Sequence, residues 1–186
     1  MNTHALSGSD AGFTLVELLV TTAVMAVLLG LATPKMTGLM SSLQLSSASN
    51  DLLAGLLLAR SEAIKRNSRV VICKSADGIS CVSSGNWEQG WIVFHDANNN
   101  GRREAAEPIL LREQALGPSL RLTGNLNVAH YVSYSPSGAT KLVSGGFQAG
   151  TLTICQHSAA AGEARQIVLS TAGRPRVQKA SVPTCF

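Results

Sequence analysis

One residue in the stretch 12–34 is out of place. The run reads Gly-Phe-Thr-Leu-Val-Glu-Leu-Leu-Val-Thr-Thr-Ala-Val-Met-Ala-Val-Leu-Leu-Gly-Leu-Ala-Thr-Pro, and Glu17 sits inside it. About 20 apolar residues suffice to cross the hydrocarbon of a bilayer. A carboxylate there costs roughly 2.5–3.5 kcal/mol or more, so an acid in such a run points to a specific job and a specific partner. The nearest partner is a positive charge in the same layer. A backbone amine at Phe13, freed by cleavage after Gly12, would supply one.

That logic makes residues 1–12 a leader. The segment is short and polar and has no apolar stretch of its own. A secretory signal peptide carries its apolar region before the cut; here the apolar helix follows the cut and stays with the mature chain. The other reading of the same residues is an uncleaved single-span anchor, with Glu17 snorkelling to the nearby interface.

Gly12-Phe13-Thr14-Leu15-Val16-Glu17-Leu18 resembles the processing site of type IV prepilins and type II secretion pseudopilins. Gly precedes the cut, Phe follows it, Glu comes four residues later, and the apolar run then continues unbroken. Pro34 also falls where many type IV pilins carry a helix-kinking proline. The resemblance implies that a prepilin peptidase cuts after Gly12 and N-methylates Phe13. It implies that Glu17 helps to register each subunit against its neighbour during assembly. The leader departs from the family pattern in lacking Lys and Arg; His4 and the terminal amine are its only basic groups, so positive-inside orientation is weakly encoded.

The chain of 186 residues suits one membrane helix plus one globular domain. Its formal charge is +4, and loss of the leader, with Asp10 as its one acid, raises this to +5. The excess favours polyanionic partners over cationic ones. Aromatic residues make up 4%, too few for a base-stacking surface. Cys73, Cys81, Cys155 and Cys185 all lie beyond the apolar helix. An even count in an exported domain suggests disulfides rather than a metal site, and no CxxC spacing suggests zinc. Of the three possible pairings we favour Cys73–Cys81, which closes a short loop, and Cys155–Cys185, which ties down the tail.

Helical spacing continues past the apolar run, with Pro34 expected to bend or locally unwind it. Leu39, Leu43, Leu53, Leu57 and Ile64 recur on one face, expected to be the core-facing stripe. Ser41, Ser46, Ser49, Asp51, Glu62 and Lys65 take other faces. The helix is expected to end near Arg66-Asn67, with basic residues in its last turn. From Phe13 to Arg66 that is about 80 Å at roughly 1.5 Å per residue.

The period then changes to strands. Arg69–Lys74, 90–94, Ile109–Glu113, Leu120–Thr123, Tyr131–Tyr134, Thr151–Cys155 and Gln166–Ser170 read as short strands, the third as the return strand of a long hairpin. Gly and Pro punctuate the gaps. The pattern predicts an α+β fold of the type IV pilin kind: a long N-terminal helix whose second half packs on an antiparallel sheet. The expected segments are a leader (1–12), a membrane or filament-core helix (13–34), its amphipathic continuation (35–67) and a β-rich domain with a basic tail (68–186).

Gly90-Trp91-Ile92-Val93-Phe94 with its following Asp-Asn-Gly turn resembles the GspH/FimT branch of pilins and pseudopilins, as does Ser135-Pro136-Ser137-Gly138. Gly173-Arg174-Pro175-Arg176 is similar to the Gly-Arg-x-Arg DNA-binding element of FimT-type minor pilins, which serve DNA uptake in natural transformation. That resemblance implies DNA contact through Arg174 and Arg176. Proline fixes φ between the two arginines and limits local freedom, and arginine suits bidentate phosphate contacts. Gly173, Arg165 upstream and Lys179 downstream complete the candidate set. Phosphate contacts of this kind give sequence-independent, salt-sensitive binding to double-stranded DNA.

Asp96-x-Asn98-x-Asn100-Gly101-x5-Glu107 fits the calcium-loop pattern letter for letter. Its context argues against an EF-hand: a strand precedes it, Pro108 follows Glu107 at once, and Arg102 and Arg103 add two positive charges. A polar hairpin turn using Asn and Gly accounts for the same residues. His4, His95, His130 and His157 are scattered, and neither a nucleophile elbow nor a phosphate-binding glycine loop is present. The expectation is a non-enzymatic subunit without a cofactor, held in the inner membrane before assembly and then carried in a periplasmic or extracellular filament. Its expected partners are other pilins or pseudopilins, the prepilin peptidase and DNA. The alternatives are a structural FimU-like minor pilin that primes assembly and a GspH-like pseudopilin of type II secretion.

Overall fold

The protein is described by a computed structural model covering residues 12–186, with the backbone alone described at positions 31–37. The expected leader up to Ala11 lies outside the described residues. The chain divides into two compact units, Met1–Met40 and Ser41–Phe186. Helix α1 (Leu15–Arg66) contributes to both.

In the first unit the side chains of Leu15, Leu18, Leu19, Val24 and Leu28 are exposed. Among the described residues no helix is long and apolar enough to cross a membrane. The expected span over 13–34 runs into positions whose side chains lie outside the described ones. Pro34 is among them, and the helical assignment passes through it without a break.

The second unit is built on the C-terminal part of α1. The helix ends as its sequence suggested, with Lys65 and Arg66 in the last turn. Asn67 takes φ 48°, the left-handed conformation that stops a helix. Ser68 N–H then bonds to Ala63 O and Asn67 N–H to Ile64 O, both at 3.2 Å, so two of the last four carbonyls are paired by the chain that leaves the helix.

The buried face of the helix corrects the expected stripe. Leu39, Leu43, Leu57 and Ile64 are about half exposed, and Leu53 is only partly buried. The core face instead carries Leu45, Ala48, Ser49, Leu52, Leu56, Ala59 and Ala63. Leucines occupy more than one face here, so leucine spacing alone does not identify the inward one. Small residues do, because they let the helix approach the sheet closely. A Cβ at Gly55 would lie 3.2 Å from both Ile72 Cδ1 and Trp91 Nε1.

Two four-stranded antiparallel sheets, rather than one, face this helix. The first has the order β3 (Ile109–Glu113), β2 (Trp91–His95), β1 (Val70–Lys74), β5 (Tyr131–Tyr134). The second has the order β4 (Leu120–Gly124), β6 (Gly150–Gln156), β7 (Gly162–Leu169), β8 (Pro175–Val182). Strand β1 is buried along its whole length and alternates between two apolar layers. Val70 and Ile72 join the helix core, whereas Val71 and Cys73 pack with Ile92 and Phe94 on the far face. The main core also takes Leu122, Leu152, Ile154, Ile167 and Leu169 from the second sheet. Every buried residue of that core lies between Leu45 and Leu169, so the second unit holds what it needs to fold.

Strand β8 was not foreseen. Half of its residues are polar or charged and most are exposed, because it is the edge strand of its sheet and pairs with β7 alone among the described strands. Charges and a leading proline on an edge discourage unwanted strand pairing. Disulfides join Cys73 to Cys81 and Cys155 to Cys185. The second fastens the C-terminal tail across β6, and Ser158 and Cys185 exchange backbone hydrogen bonds of 2.8 and 3.0 Å beside it.

Candidate functional site

Three places carry the residues singled out by the sequence. The first is the start of α1. Thr14 precedes the first helical residue and Glu17 lies in the first turn. Glu17 N–H donates to Thr14 Oγ1 at 3.2 Å, and Thr14 N–H donates back to Glu17 Oε2 at 3.1 Å. Thr14 Oγ1 also donates to the same carboxylate oxygen at 3.1 Å. This reciprocal pair is a capping box, which satisfies amides that the first helical turn leaves unpaired. The negative charge also lies where the helix dipole favours it. Phe13, 85% exposed, stands immediately before the box.

The second place is the β7–β8 turn, residues 170–174. Gly173 N–H bonds to Ser170 O at 2.9 Å and closes a tight turn. Gly173 has φ 74°, and a Cβ there would overlap Gly138 O. The Gly-Arg-Pro-Arg and Ser-Pro-Ser-Gly motifs are therefore in backbone contact, and only glycine permits it. Thr140 reinforces the contact. Its N–H donates to Thr171 O at 3.2 Å, and its Oγ1 shares a proton between Gln148 O at 2.6 Å and Ser170 O at 3.1 Å.

Behind Thr140 lies Gln148, which is fully buried. Its Oε1 accepts from Ser133 N–H at 2.9 Å, while its Nε2 donates to Asn127 O at 2.8 Å and Tyr131 O at 2.9 Å. A buried amide with its donors and acceptor satisfied fixes local geometry. Gln148 and Thr140 thus tie β5 of one sheet to the hairpin turn of the other. Sequence reasoning missed both, since a lone Gln and a lone Thr in a loop look like solvated polar residues.

The four basic residues proposed around this turn are not brought together. Arg174 is exposed in the turn, and Arg176 is exposed on β8 opposite Val168. Lys179 stands three positions further on, so it projects from the other face of the strand. Arg165, its cross-strand neighbour, is 5% exposed. Its Nη2 donates to Ser42 Oγ at 3.1 Å, and its Nη1 lies 3.5 Å from Glu163. Arg165 thus fastens the sheet to the helix and is corrected out of any surface interface. Among the described residues no ion pair involves Arg174, Arg176 or Lys179.

The third place is the calcium-like loop after β2. Asp96 Oδ1 accepts from Asn100 N–H at 3.0 Å and its Oδ2 from Gly101 N–H at 2.9 Å. Glu107 Oε1 accepts from Ala97 N–H at 2.9 Å and its Oε2 from Glu104 N–H at 3.0 Å. Asn98 Oδ1 and Asn100 Oδ1 also accept backbone N–H groups of the loop. All four carboxylate oxygens therefore serve the loop's own amides, as a structural turn requires. Burial raises the Asp96 carboxyl above its ordinary value against these bonds, and the nearby Glu107 charge adds to that rise. Among the described residues no group of three or more His, Cys, Asp or Glu side chains is placed to hold a metal.

Comparison with known proteins accords with this arrangement. The family described as "Type II transport protein GspH" matches residues 48–173. The prokaryotic N-terminal methylation motif matches residues 8–33. The pilin-like protein PilA1 of Thermus thermophilus is 27% identical over 175 residues, covering 90% of this chain and 97% of that protein. The minor pilin FimU of Pseudomonas aeruginosa shares the fold at TM-score 0.59 and 21% identity, over 80% of this chain and 99% of that one. The minor pseudopilin EpsH of Vibrio cholerae does so at TM-score 0.51 and 15% identity, over 73% of this chain and 96% of that one. A helix-plus-antiparallel-sheet domain behind an N-terminal methylation motif, matched over 48–173, makes this chain a member of the GspH family of minor pilins and pseudopilins.

Proposed function

We propose that the protein is a minor type IV pilin that binds double-stranded DNA without sequence preference, for DNA uptake. The observation that carries this reading is the β7–β8 turn. Arg174, in the turn held by the Gly173–Gly138 contact, and Arg176, at the start of β8, are exposed and without a carboxylate partner among the described residues. The held backbone spares part of the ordering cost when the two arginines meet successive phosphates, and guanidinium geometry suits bidentate phosphate contact. Edge-strand placement leaves one flank of β8 open to a large partner. The Cys155–Cys185 disulfide supports the reading by holding the strand's far end against the domain.

In this reading the prepilin peptidase cuts after Gly12 and methylates Phe13, and α1 holds the subunit in the inner membrane until assembly. Glu17 then meets the amine of a neighbouring subunit's first residue inside the filament. Lys179 contributes to the field around the strand from its other face.

Titrating the Ser41–Phe186 unit with a random-sequence duplex across salt concentrations tests the DNA reading. Affinity should fall steeply with salt, and removing one phosphate-binding cation should flatten the logarithmic slope by about 0.9. Arg174→Ala with Arg176→Ala should flatten it by about 2. Unchanged affinity and slope in that double variant would remove the reading. The GspH family match favours a second one, a pseudopilin of type II secretion, in which the same turn meets another pseudopilin.

A further inference from the structure

We infer that Arg60, on the helix, is a third phosphate-binding cation of the surface formed by the β7–β8 turn. The inference rests on the DNA reading above and extends its interface from the second sheet onto α1. Three observations carry it. First, Gly138 is sandwiched: a Cβ there would lie 2.8 Å from Ile64 Cδ1 and 3.1 Å from Arg60 Nε. On its other side, Gly138 O is the atom that Gly173 approaches. A single residue therefore separates the Arg60 guanidinium from the backbone of the Gly-Arg-Pro-Arg turn.

Second, Arg60 has no ion-pair partner among the described residues. Three cations lie between Ser41 and Arg66, and Glu62 takes two of them, Lys65 at 3.3 Å and Arg66 at 2.7 Å. Among the described residues no carboxylate bonds to Arg60, and its Nε is buried without any hydrogen-bond partner. A guanidinium has five donors and is charged at every accessible pH. The buried Nε is closed to solvent, but the two terminal Nη groups are not among the buried unpartnered atoms, so they are the donors an external anion would meet. Third, the neighbourhood offers no internal substitute. Tyr134 Oη is also buried without a partner, and the Arg60 charge favours its ionised form while burial opposes it more strongly. The phenol therefore stays neutral and supplies no counter-charge.

The resulting path runs from Arg174 in the turn, past Gly138 and the exposed Ser137, to Arg60. Non-specific duplex binding uses such a track of cations along one backbone, and each member adds one unit of counterion release. Arg60 differs from Arg174 in being partly buried, with its Nε enclosed, whereas Arg174 is exposed.

The test uses the full chain in non-ionic detergent, so that α1 stays continuous, with a 30-base-pair random duplex (a length of roughly three turns) as probe. Arg60→Gln should weaken binding several-fold and flatten the salt slope by about 0.9, with the melting temperature unchanged. Arg60→Lys should keep the slope. If Arg60→Gln leaves the slope intact while the Arg174/Arg176 double variant flattens it, the inference falls and the DNA reading stands. If neither variant alters binding, both fall. Should Arg60→Gln and Arg60→Lys both lose binding together with a lowered melting temperature, Arg60 is structural and the inference falls.

Discussion

Thr14 and Glu17 each supply what the other lacks: the threonine hydroxyl accepts the glutamate amide at 3.2 Å, and the glutamate carboxylate accepts the threonine amide at 3.1 Å. One acid in an apolar run thereby has a task within its own chain. It caps the helix, and the cap uses only atoms that survive a cut after Gly12. The box and the proposed inter-subunit charge pair make different demands on Glu17. Capping needs an acceptor, whereas pairing with an amine needs a charge. Glu17→Gln keeps the acceptor and removes the charge. We expect it to retain the helix start yet fail to enter filaments, seen by fractionating sheared filaments from cells. Thr14→Ala should cost about 1 kcal/mol of helix stability and still assemble. Wild-type incorporation of Glu17→Gln would show that capping is the residue's whole role.

Gly173→Ala should be severe, because its Cβ would overlap Gly138 O. Gly145→Ala is the matched control. It too has positive φ, 89°, but nothing lies within 4 Å of its Cβ. The control should lose about 1 kcal/mol or slightly more from backbone strain alone. Gly173→Ala should lose at least twice as much and also weaken DNA binding. Urea unfolding of both variants measures the difference, and equal losses would mean that the approach of the two loops carries no energy.

Gln148→Leu removes three hydrogen bonds at once and leaves Ser133 N–H, Asn127 O and Tyr131 O unpaired. Ser133 is fully buried, so its stranded N–H costs about 1–3 kcal/mol; Asn127 is exposed, so its carbonyl turns to water at little cost, and a total of roughly 2–4 kcal/mol is expected. The loss should concentrate at Ser133 and Thr140, which amide hydrogen exchange resolves.

Reducing the Cys155–Cys185 link, or replacing both cysteines by serine, frees a loop with a sequence separation of 30. Loop-closure entropy predicts a loss of about 3–4 kcal/mol. Serine replacement of Cys73 and Cys81, separated by 8, should cost less, about 2.5 kcal/mol. Denaturant midpoints of the two pairs of variants check the order.

The Cys73–Cys81 loop also carries a pH signature. The amides of Ser80 and Ile79, and more weakly the Ser75 hydroxyl, hold the Asp77 carboxyl well below its ordinary 3.8. The folded state therefore favours the ionised form. This contribution is complete from about pH 5 upward and is lost as pH falls through 3.8 toward the folded value. Asp77→Asn keeps an acceptor and does not titrate, so stability between pH 4 and 2 should fall less steeply in that variant. Parallel acid-unfolding curves for the two proteins would assign the low-pH loss elsewhere.

Much of the fold was legible because local chemistry dictates it. Strands β1, β2 and β5 announce themselves as β-branched or aromatic runs between turn residues, and Asn67 ends the helix where the basic last turn suggested. Strand β8 was illegible because an edge strand needs no apolar face, and its Arg, Gln and Lys read as a solvated tail. The inward helix face was misread because Leu57 and Ile64 outrank Ala59 and Ala63 in hydrophobicity, whereas close approach to a sheet selects for small size. Arg165 looked like one more free cation, yet it is buried against Ser42, more than a hundred residues away in the chain.

By itself, the sequence settled what depends on neighbours along the chain: the helix and its C-terminal end, most of the short strands and the methylation motif. Each follows from spacing over a few residues, where backbone geometry leaves few choices. Tertiary structure decided which cations reach solvent, which glycines touch, and which polar side chains bind the two sheets together. Those outcomes rest on meetings between segments far apart in the chain, such as Gly138 with Gly173 and Gln148 with Ser133, and no local pattern encodes them.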